Sequence, residues 1–216
     1  MIGRLEFARR WSRAHGGADP QARFVGGYLA VVHTAARPLV AARVAPDAVT
    51  LAGLVIALAA LWPAAAGGRW PLLAPVLVVV SAVVDGLDGA VAAMSGRSTR
   101  WGAVLDALCD RVADAAYVAV LWVLGAPGWL AVLAVGTVWL HEYLRARATA
   151  AGMAGVGRIT VGERPTRVVV AAMFGLAAGV HPSAADDWAT AGAAATAAVG
   201  VVALLQLLPV VRRVLR

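Results

Sequence analysis

Four aspartates lie in an otherwise apolar stretch of chain, in two pairs with helical spacing. Asp85 and Asp88 are three residues apart and Asp106 and Asp110 are four apart, so each pair shares one face of a helix. Ionised carboxylates inside a bilayer are costly and need compensation. Hard divalent ions such as Mg²⁺ take carboxylate oxygens. The spacing therefore predicts a metal-dependent active site in a membrane protein, with two divalent ions clamping a diphosphate.

Two other interpretations of the aspartates remain open. They could be structural carboxylates paired with Arg97, Arg100 and Arg111. They could also line the cation path of a transporter or channel. An ion path would need polar residues over a continuous depth, whereas polarity here is concentrated at one side of the membrane. That pattern favours an active site that a soluble acceptor can reach.

The composition of the 216 residues is that of a membrane protein. Hydrophobic residues make up 61% of the chain, against about 45–50% in soluble domains. We therefore expect an all-α protein that crosses the membrane several times. The net charge of +7 is carried by arginines between the apolar segments, which favours anionic lipids and phosphate-bearing substrates as partners over nucleic acid.

Six apolar segments are each near the ~20 residues that a helix needs to cross a bilayer. They are predicted at about 47–66, 71–94, 102–125, 128–149, 165–182 and 189–210. Before them, residues 20–43 mix apolar and charged side chains, which is typical of an amphipathic helix lying in the interface. The chain is thus predicted to consist of a cytoplasmic N-terminal segment (1–45) with this interfacial helix and a six-helix transmembrane catalytic domain (46–216).

The arginines also predict the orientation. Nearly all of the 19 basic residues fall in the N-terminal segment, two alternate connections and the C-terminus, whereas the opposite side carries Arg69 and the acidic pair Asp186 and Asp187. Arginine-rich loops face the cytoplasm. We therefore expect a multi-pass protein of the inner (plasma) membrane, with both termini and the active site cytoplasmic.

The aspartates belong to a longer pattern that resembles the CDP-alcohol phosphatidyltransferase (phosphotransferase) family. The family motif is D-x2-D-G-x2-A-R-x8-G-x3-D-x3-D. It is matched at Asp85, Asp88, Gly89, Ala92, Gly102, Asp106 and Asp110. The one departure within the motif is Ala93, which stands where the family has arginine.

The resemblance implies a role for each group of residues. The four aspartates would hold two divalent ions, usually Mg²⁺ with Mn²⁺ as an alternative, and Asp110 would also act as the general base on an acceptor hydroxyl. The donor would be a CDP-linked lipid such as CDP-diacylglycerol, with CMP as the leaving group. Residues implied to contact this lipid are Asp47, Ala48, Val49, Thr50, Gly89 and Thr99. From the residues alone, Asp47 and Thr50 are equally well explained as helix caps.

Two later segments, 143–148 and 162–167, resemble the actinobacterial phosphatidylinositol phosphate synthases within that family. This similarity implies that Arg145, Arg164 and Arg167 bind the phosphate of a phosphorylated polyol, inositol phosphate in that branch, and that the protein is a homodimer. Guanidinium groups suit phosphate because they bind it bidentately. Taken alone, the same arginines are explained by a positive cytoplasmic loop.

A second departure concerns the last segment, where Leu207 follows Gln206 in place of an arginine. It leaves glycerol 3-phosphate open as a rival acceptor. With Ala93, it also leaves open a weakened paralogue without catalytic activity.

Overall fold

Every regular element in the described part of the chain is a helix, as the sequence predicts. The computed structural model describes residues 3, 6–8, 23–153 and 160–216; much of the predicted N-terminal segment 1–45 lies outside these ranges. The principal helices are α1 (Arg23–Ala41), α2 (Pro46–Ala59), α3 (Leu61–Ala65), α4 (Leu73–Ser95), α5 (Arg100–Val123), α6 (Gly128–Ala150), α7 (Arg164–Val180) and α8 (Ala185–Val214). Short 3₁₀ turns, Trp70–Leu72 and Pro182–Ala184, precede α4 and α8.

Each predicted apolar segment contains a helix, with differences at the boundaries. The first segment is divided into α2 and α3, because Pro63 has no N–H to bond the carbonyl of Ala59 and its ring crowds that carbonyl. The last helix is longer than predicted, at 30 residues. Among the described residues, three stretches are long and apolar enough to cross a membrane: Pro46–Ala65, Trp70–Ser95 and Pro182–Val214.

The chain divides into two compact units. Unit one consists of the described residues up to Leu54 together with Ser81–Asp110, and unit two of Val55–Val80 together with Arg111–Arg216. The core of unit one is an apolar cluster contributed by α1, α2 and α4. It includes Leu29, Val32, Ala36, Val49, Ala90, Val91 and Met94.

In unit two, α8 packs against both α6 and α7. Glycines allow this close approach, since a Cβ at Gly192 would lie 2.6 Å from Cβ of Phe174, and one at Gly200 would collide with Thr137. Small residues at such contacts are typical of helices that pack within a membrane. Both glycines belong to α8, which therefore packs closely against α6 and α7.

Candidate active site

Three of the four predicted aspartates gather at one point in unit one. One carboxylate oxygen each from Asp85, Asp88 and Asp106 lies within 4.8 Å of the other two. Asp85 and Asp88 are buried on α4, and Asp106 is half-buried on α5. We call these three residues the aspartate cluster. Like charges so close favour a bound cation.

The backbone of α2 approaches α4 closely beside the aspartate cluster. A Cβ at Gly53 would lie 3.3 Å from Cβ of Asp85, so a larger residue there would push the two helices apart. Thr50, one turn before Gly53, donates its hydroxyl hydrogen to Asp88. The Gly89 amide donates to the other Asp88 oxygen. These contacts orient the Asp88 carboxylate, as second partners of metal ligands do.

Asp110 lies one turn after Asp106 on α5 and is half-buried. It is not among the three residues whose oxygens converge. The spacing places it on the same face of α5 as Asp106.

The residues implied to contact the CDP-linked lipid are distributed around the start of α5 and the start of α2. Thr99 caps α5, since its Oγ1 accepts the Gly102 amide hydrogen at 2.9 Å. A Cβ at Gly102 would lie 3.1 Å from Thr99 Oγ1 and 3.4 Å from Asp47 Oδ1. Asp47, Thr99 and Gly102 therefore lie together, and Gly102 leaves space between the two polar side chains.

The other predicted lipid contacts differ in environment. Ala48 is exposed, whereas Val49 is buried in the apolar cluster of unit one. Gly89 faces open space, because a Cβ there would meet nothing within 4 Å. Ala93, which replaces the family's arginine, packs against the same apolar cluster as Val49.

Unit two contains a closed ring of alternating charges, made by Arg111, Asp114, Glu142 and Arg167. Asp114 Oδ2 lies 3.1 Å from Nη2 of Arg111 and 3.0 Å from Nη1 of Arg167. The Glu142 carboxylate completes the ring, 3.4 Å from Nη1 of Arg111 and 3.0 Å from Nη2 of Arg167. We call this the charge ring. It joins α5, α6 and α7 with equal numbers of positive and negative groups.

Arg167, one of the predicted acceptor ligands, is therefore engaged with carboxylates through both terminal nitrogens. Its side chain is only 5% exposed, and that of Asp114 only 4%. A phosphate could bind Arg167 directly only by displacing a carboxylate from the charge ring.

Arg145 is also engaged. Its Nη1 and Nη2 donate to Oε2 and Oε1 of Glu163 at 3.1 and 2.6 Å. Glu163 Oε1 also accepts the Thr160 amide hydrogen at 3.0 Å. Burial opposes ionisation of Glu163, but the hydrogen bonds from Arg145 and from Thr160 outweigh it and lower the pKa of the carboxyl. We call the Arg145–Glu163 pair the clasp.

The third predicted acceptor ligand, Arg164, is the half-buried first residue of α7. Arg145 and Arg167 both act electrostatically on Glu142, and Arg164 and Arg167 both act on Asp114. The three arginines thus converge on one acidic network in unit two.

Gln206 and Leu207 have separate roles in unit two. Gln206 Oε1 accepts the Val161 amide hydrogen at 3.0 Å, which ties the loop before α7 to α8. Leu207 is fully buried beside Ala148 and Met153. An apolar contact thus occupies the position where the resemblance implied an arginine.

The carboxylates that hold the arginines differ in how far the sequence indicates them. The pairing of Asp114 with Arg111 has a local signal, because the two residues are three apart on a helix. His141 is 1% exposed, and its Nε2 lies 3.1 Å from Thr160 Oγ1. Glu163 had no local signal, since its partner is on another helix.

Comparison with known proteins identifies the family. The family model described as CDP-alcohol phosphatidyltransferase matches residues 43–210. The chain belongs to this family. A phosphatidylinositol phosphate synthase from Mycolicibacterium smegmatis is 38% identical over 153 residues, which cover 66% of this chain and 66% of that protein. The chain thus spans about two thirds of the length of the curated relative it matches.

Solved structures of Mycobacterium tuberculosis phosphatidylinositol phosphate synthase share the fold of this phosphatidyltransferase. The structure with CDP-DAG bound has a TM-score of 0.66 at 29% identity and covers 84% of this chain and 93% of that one. The complex with manganese and citrate has a TM-score of 0.65 at 28% identity, covering 84% and 88%.

The aspartate cluster of this phosphatidyltransferase fits a divalent metal. It offers three carboxylate oxygens within 4.8 Å of one another, and oxygen donors of this kind suit Mg²⁺ and Mn²⁺. The fixed orientation of Asp88 further suits a metal ligand. The chain is thus an integral-membrane member of the CDP-alcohol phosphatidyltransferase family, and its aspartate cluster could hold a divalent metal ion.

Proposed function

We propose that this protein transfers the phosphatidyl group of CDP-diacylglycerol to a hydroxyl of inositol phosphate and releases CMP. The observation that carries the proposal is the aspartate cluster, with oxygens within 4.8 Å of one another, in a member of this family. Its relatives named as phosphatidylinositol phosphate synthases support the acceptor, and the related structure with CDP-DAG bound supports the donor.

Asp85, Asp88 and Asp106, together with Asp110, are the proposed ligands of two Mg²⁺ ions, for which Mn²⁺ can substitute. When bound, the ions supply positive charge that offsets the charge of the diphosphate. The hydrogen bond from Thr50 keeps the Asp88 carboxylate aimed at this site.

Asp110 is proposed as the general base. An alcohol at neutral pH needs its proton removed as it attacks. The acceptor oxygen would form a bond to the lipid-side phosphorus, the bond from that phosphorus to the CMP oxygen would break, and the hydroxyl proton would pass to Asp110. The half-buried position of Asp110, one turn from Asp106, is compatible with this role.

The nucleotide end of the donor is proposed to bind around Asp47, Thr99 and Gly102, which lie together. Ala48, Val49 and Thr50 would contribute through the first turn of α2, and Gly89 through its open backbone. The absence of a Cβ at Gly102 leaves room for a ligand between two polar side chains.

The acceptor phosphate is proposed to bind Arg145, Arg164 and Arg167. Their convergence on one acidic network in unit two supports this assignment. Guanidinium groups recognise phosphate through paired hydrogen bonds.

We infer that the protein crosses the membrane six times. Beyond the three clearly apolar stretches, α5 and α6 have 24 and 23 residues, long enough to span. Their hydropathy is lowered by the charged groups of the aspartate cluster and the charge ring, which are the residues that function would place inside a membrane. With α7 of 17 residues, the count reaches six.

We infer that the protein lies in the inner membrane, with both termini in the cytoplasm and the active site open to the cytoplasmic side. Arginine-rich connections support the orientation. The helix α1 over Arg23–Ala41 is proposed to lie in the interface as part of a separate segment 1–45, before the catalytic domain 46–216. A homodimer is proposed on the family resemblance.

Purified protein tests the function directly. With Mg²⁺ and CDP-diacylglycerol, CMP should appear when inositol phosphate is added, and omission of metal or acceptor should prevent it. Absence of CMP with every polyol phosphate tested would refute the transferase proposal.

Glycerol 3-phosphate is the second candidate acceptor. The buried, apolar Leu207 stands where the resemblance implies an arginine, and a smaller acceptor would depend less on that missing guanidinium. The same assay with both acceptors decides, since the better kcat/KM identifies the substrate.

A further inference from the structure

The Glu163 carboxylate binds the Arg145 guanidinium in the same paired way that a phosphate would. The two terminal nitrogens of Arg145 donate to the two oxygens of Glu163. This paired arrangement is the one by which guanidinium groups also bind phosphate. While the clasp is intact, both terminal nitrogens of Arg145 (the Arg145 fork) are occupied by Glu163.

The clasp is more accessible than Arg167 and its two carboxylate partners. The side chains of Arg145 and Glu163 are 13% and 29% exposed, whereas that of Arg167 is 5% exposed and its partners Asp114 and Glu142 are 4% and 17% exposed. An anion from solution can therefore exchange with Glu163 more easily than with any carboxylate on Arg167.

The loop that carries Glu163 has other anchors. Thr160 Oγ1 lies 3.1 Å from His141 Nε2, and the Val161 amide donates to Gln206 at 3.0 Å. Because these bonds do not involve Glu163, the loop keeps them when the carboxylate leaves Arg145. Although Glu163 is the N-cap residue of α7, its side chain makes no capping hydrogen bond there; its local partner is Thr160, whose amide donates to Oε1.

We propose that Glu163 is an internal, displaceable substitute for the acceptor phosphate. The Glu163 carboxylate binds Arg145 in the free protein and releases this arginine when the phosphorylated acceptor binds. The proposal rests on the proposed function, in which Arg145 belongs to the acceptor pocket. Glu163 is thereby a specificity-determining residue. Only a ligand with an anionic group can compete for the Arg145 fork, so an unphosphorylated polyol gains nothing from opening the clasp.

Glu163→Gln tests the proposal, because glutamine keeps an oxygen for the Thr160 amide but loses the charge. We expect the KM for inositol phosphate to fall about two- to fivefold, the range that corresponds to a weak, partly exposed ion pair. The KM for CDP-diacylglycerol should not change. Asp187→Asn, which removes one exposed carboxylate elsewhere, is the matched charge control and should leave both constants unchanged.

A double-mutant cycle distinguishes the clasp from a general loop effect. In an Arg145→Gln background, Glu163→Gln should no longer lower the KM, because the competing partner is gone. An unchanged or raised KM in the folded Glu163→Gln variant, or an equal fall in both backgrounds, would overturn the proposal. If Glu163→Gln fails to fold, Glu163→Asp replaces it, with the same direction expected and the same results overturning the proposal.

Calorimetry separates this proposal from the proposed function. Binding of inositol phosphate without CDP-diacylglycerol should be about two- to fivefold tighter in Glu163→Gln than in the wild type. Equal or weaker binding would refute the clasp even where the wild type releases CMP. Tighter binding in a protein that releases no CMP would support the clasp and refute the transferase.

Discussion

The aspartate cluster and the charge ring handle buried charge in opposite ways. The cluster brings three carboxylates of one sign to within 4.8 Å. The ring alternates two arginines with two carboxylates at 3.0 to 3.4 Å. The ring balances its own charge, whereas the cluster favours a cation from outside.

Buried charge alone therefore does not identify an active site. A ring whose charges cancel joins helices, and removal of one partner leaves the remaining charges unbalanced. A group of like charges is costly unless a ligand stabilises it, so its presence indicates function. Substitutions near the aspartate cluster should therefore reduce activity at unchanged stability, whereas substitutions in the charge ring should reduce stability, and at Arg167 acceptor binding as well.

Asp110→Asn is expected to have the largest effect. Loss of a general base typically costs about 10²- to 10⁴-fold in rate, and CMP release by the folded variant measures it. Thermal stability should stay near that of the wild type. Turnover within a few-fold of wild type would remove Asp110 from the mechanism.

Arg167→Met should break the charge ring and leave Asp114 and Glu142 to share Arg111 as their only partner in the ring. Removal of one partner from a buried ion pair costs about 3–5 kcal/mol, measurable by thermal unfolding in detergent. The double variant Arg167→Met with Asp114→Leu should recover part of this loss, because one arginine and one carboxylate of the ring then remain. A loss in the double variant equal to the sum of the two single losses would contradict a coupled ring.

Thr50→Val should lower activity by about 10- to 100-fold, the cost typical of losing a partner that orients a metal ligand. Valine nearly matches threonine in shape but cannot donate to Asp88. Thr50→Ser, which keeps the hydroxyl, is the control and should retain most activity. Equal activity in the two variants would show that the hydrogen bond to Asp88 does not matter for catalysis.

The clasp should give the smallest effect, visible as a pH dependence. Because hydrogen bonds lower the pKa of the Glu163 carboxyl in the folded protein, its stabilisation is complete above the ordinary value of 4.5. It is lost as the pH falls through the lower folded value. The stability of wild type minus that of Glu163→Gln, at most about 1 kcal/mol, should be constant near neutrality and shrink below pH 4.5. A difference that grows on acidification would contradict the ionised clasp.

The helices and the aspartate cluster were predictable because their signals are local. Apolar length indicated where helices occur, and spacings of three and four residues placed the aspartates on helix faces. The charge ring and the clasp were not predictable in this way. Arg167 pairs with Asp114, which lies 53 residues earlier in the chain, and Arg145 pairs with Glu163 across the connection between two helices. Both pairings therefore depend on tertiary packing. The phosphate-binding roles of Arg145 and Arg167 were implied by the family resemblance and stay a prediction, whereas their pairing with internal carboxylates depends on the tertiary structure.

Anomalous diffraction from crystals of the full chain grown with Mn²⁺ would show whether the aspartate cluster is a divalent-metal site. We expect a manganese peak coordinated by oxygens of Asp85, Asp88 and Asp106, and no such peak in an Asp88→Asn crystal grown in the same way. A wild-type map with no manganese at these carboxylates, at saturating Mn²⁺, would show that the cluster does not bind the metal.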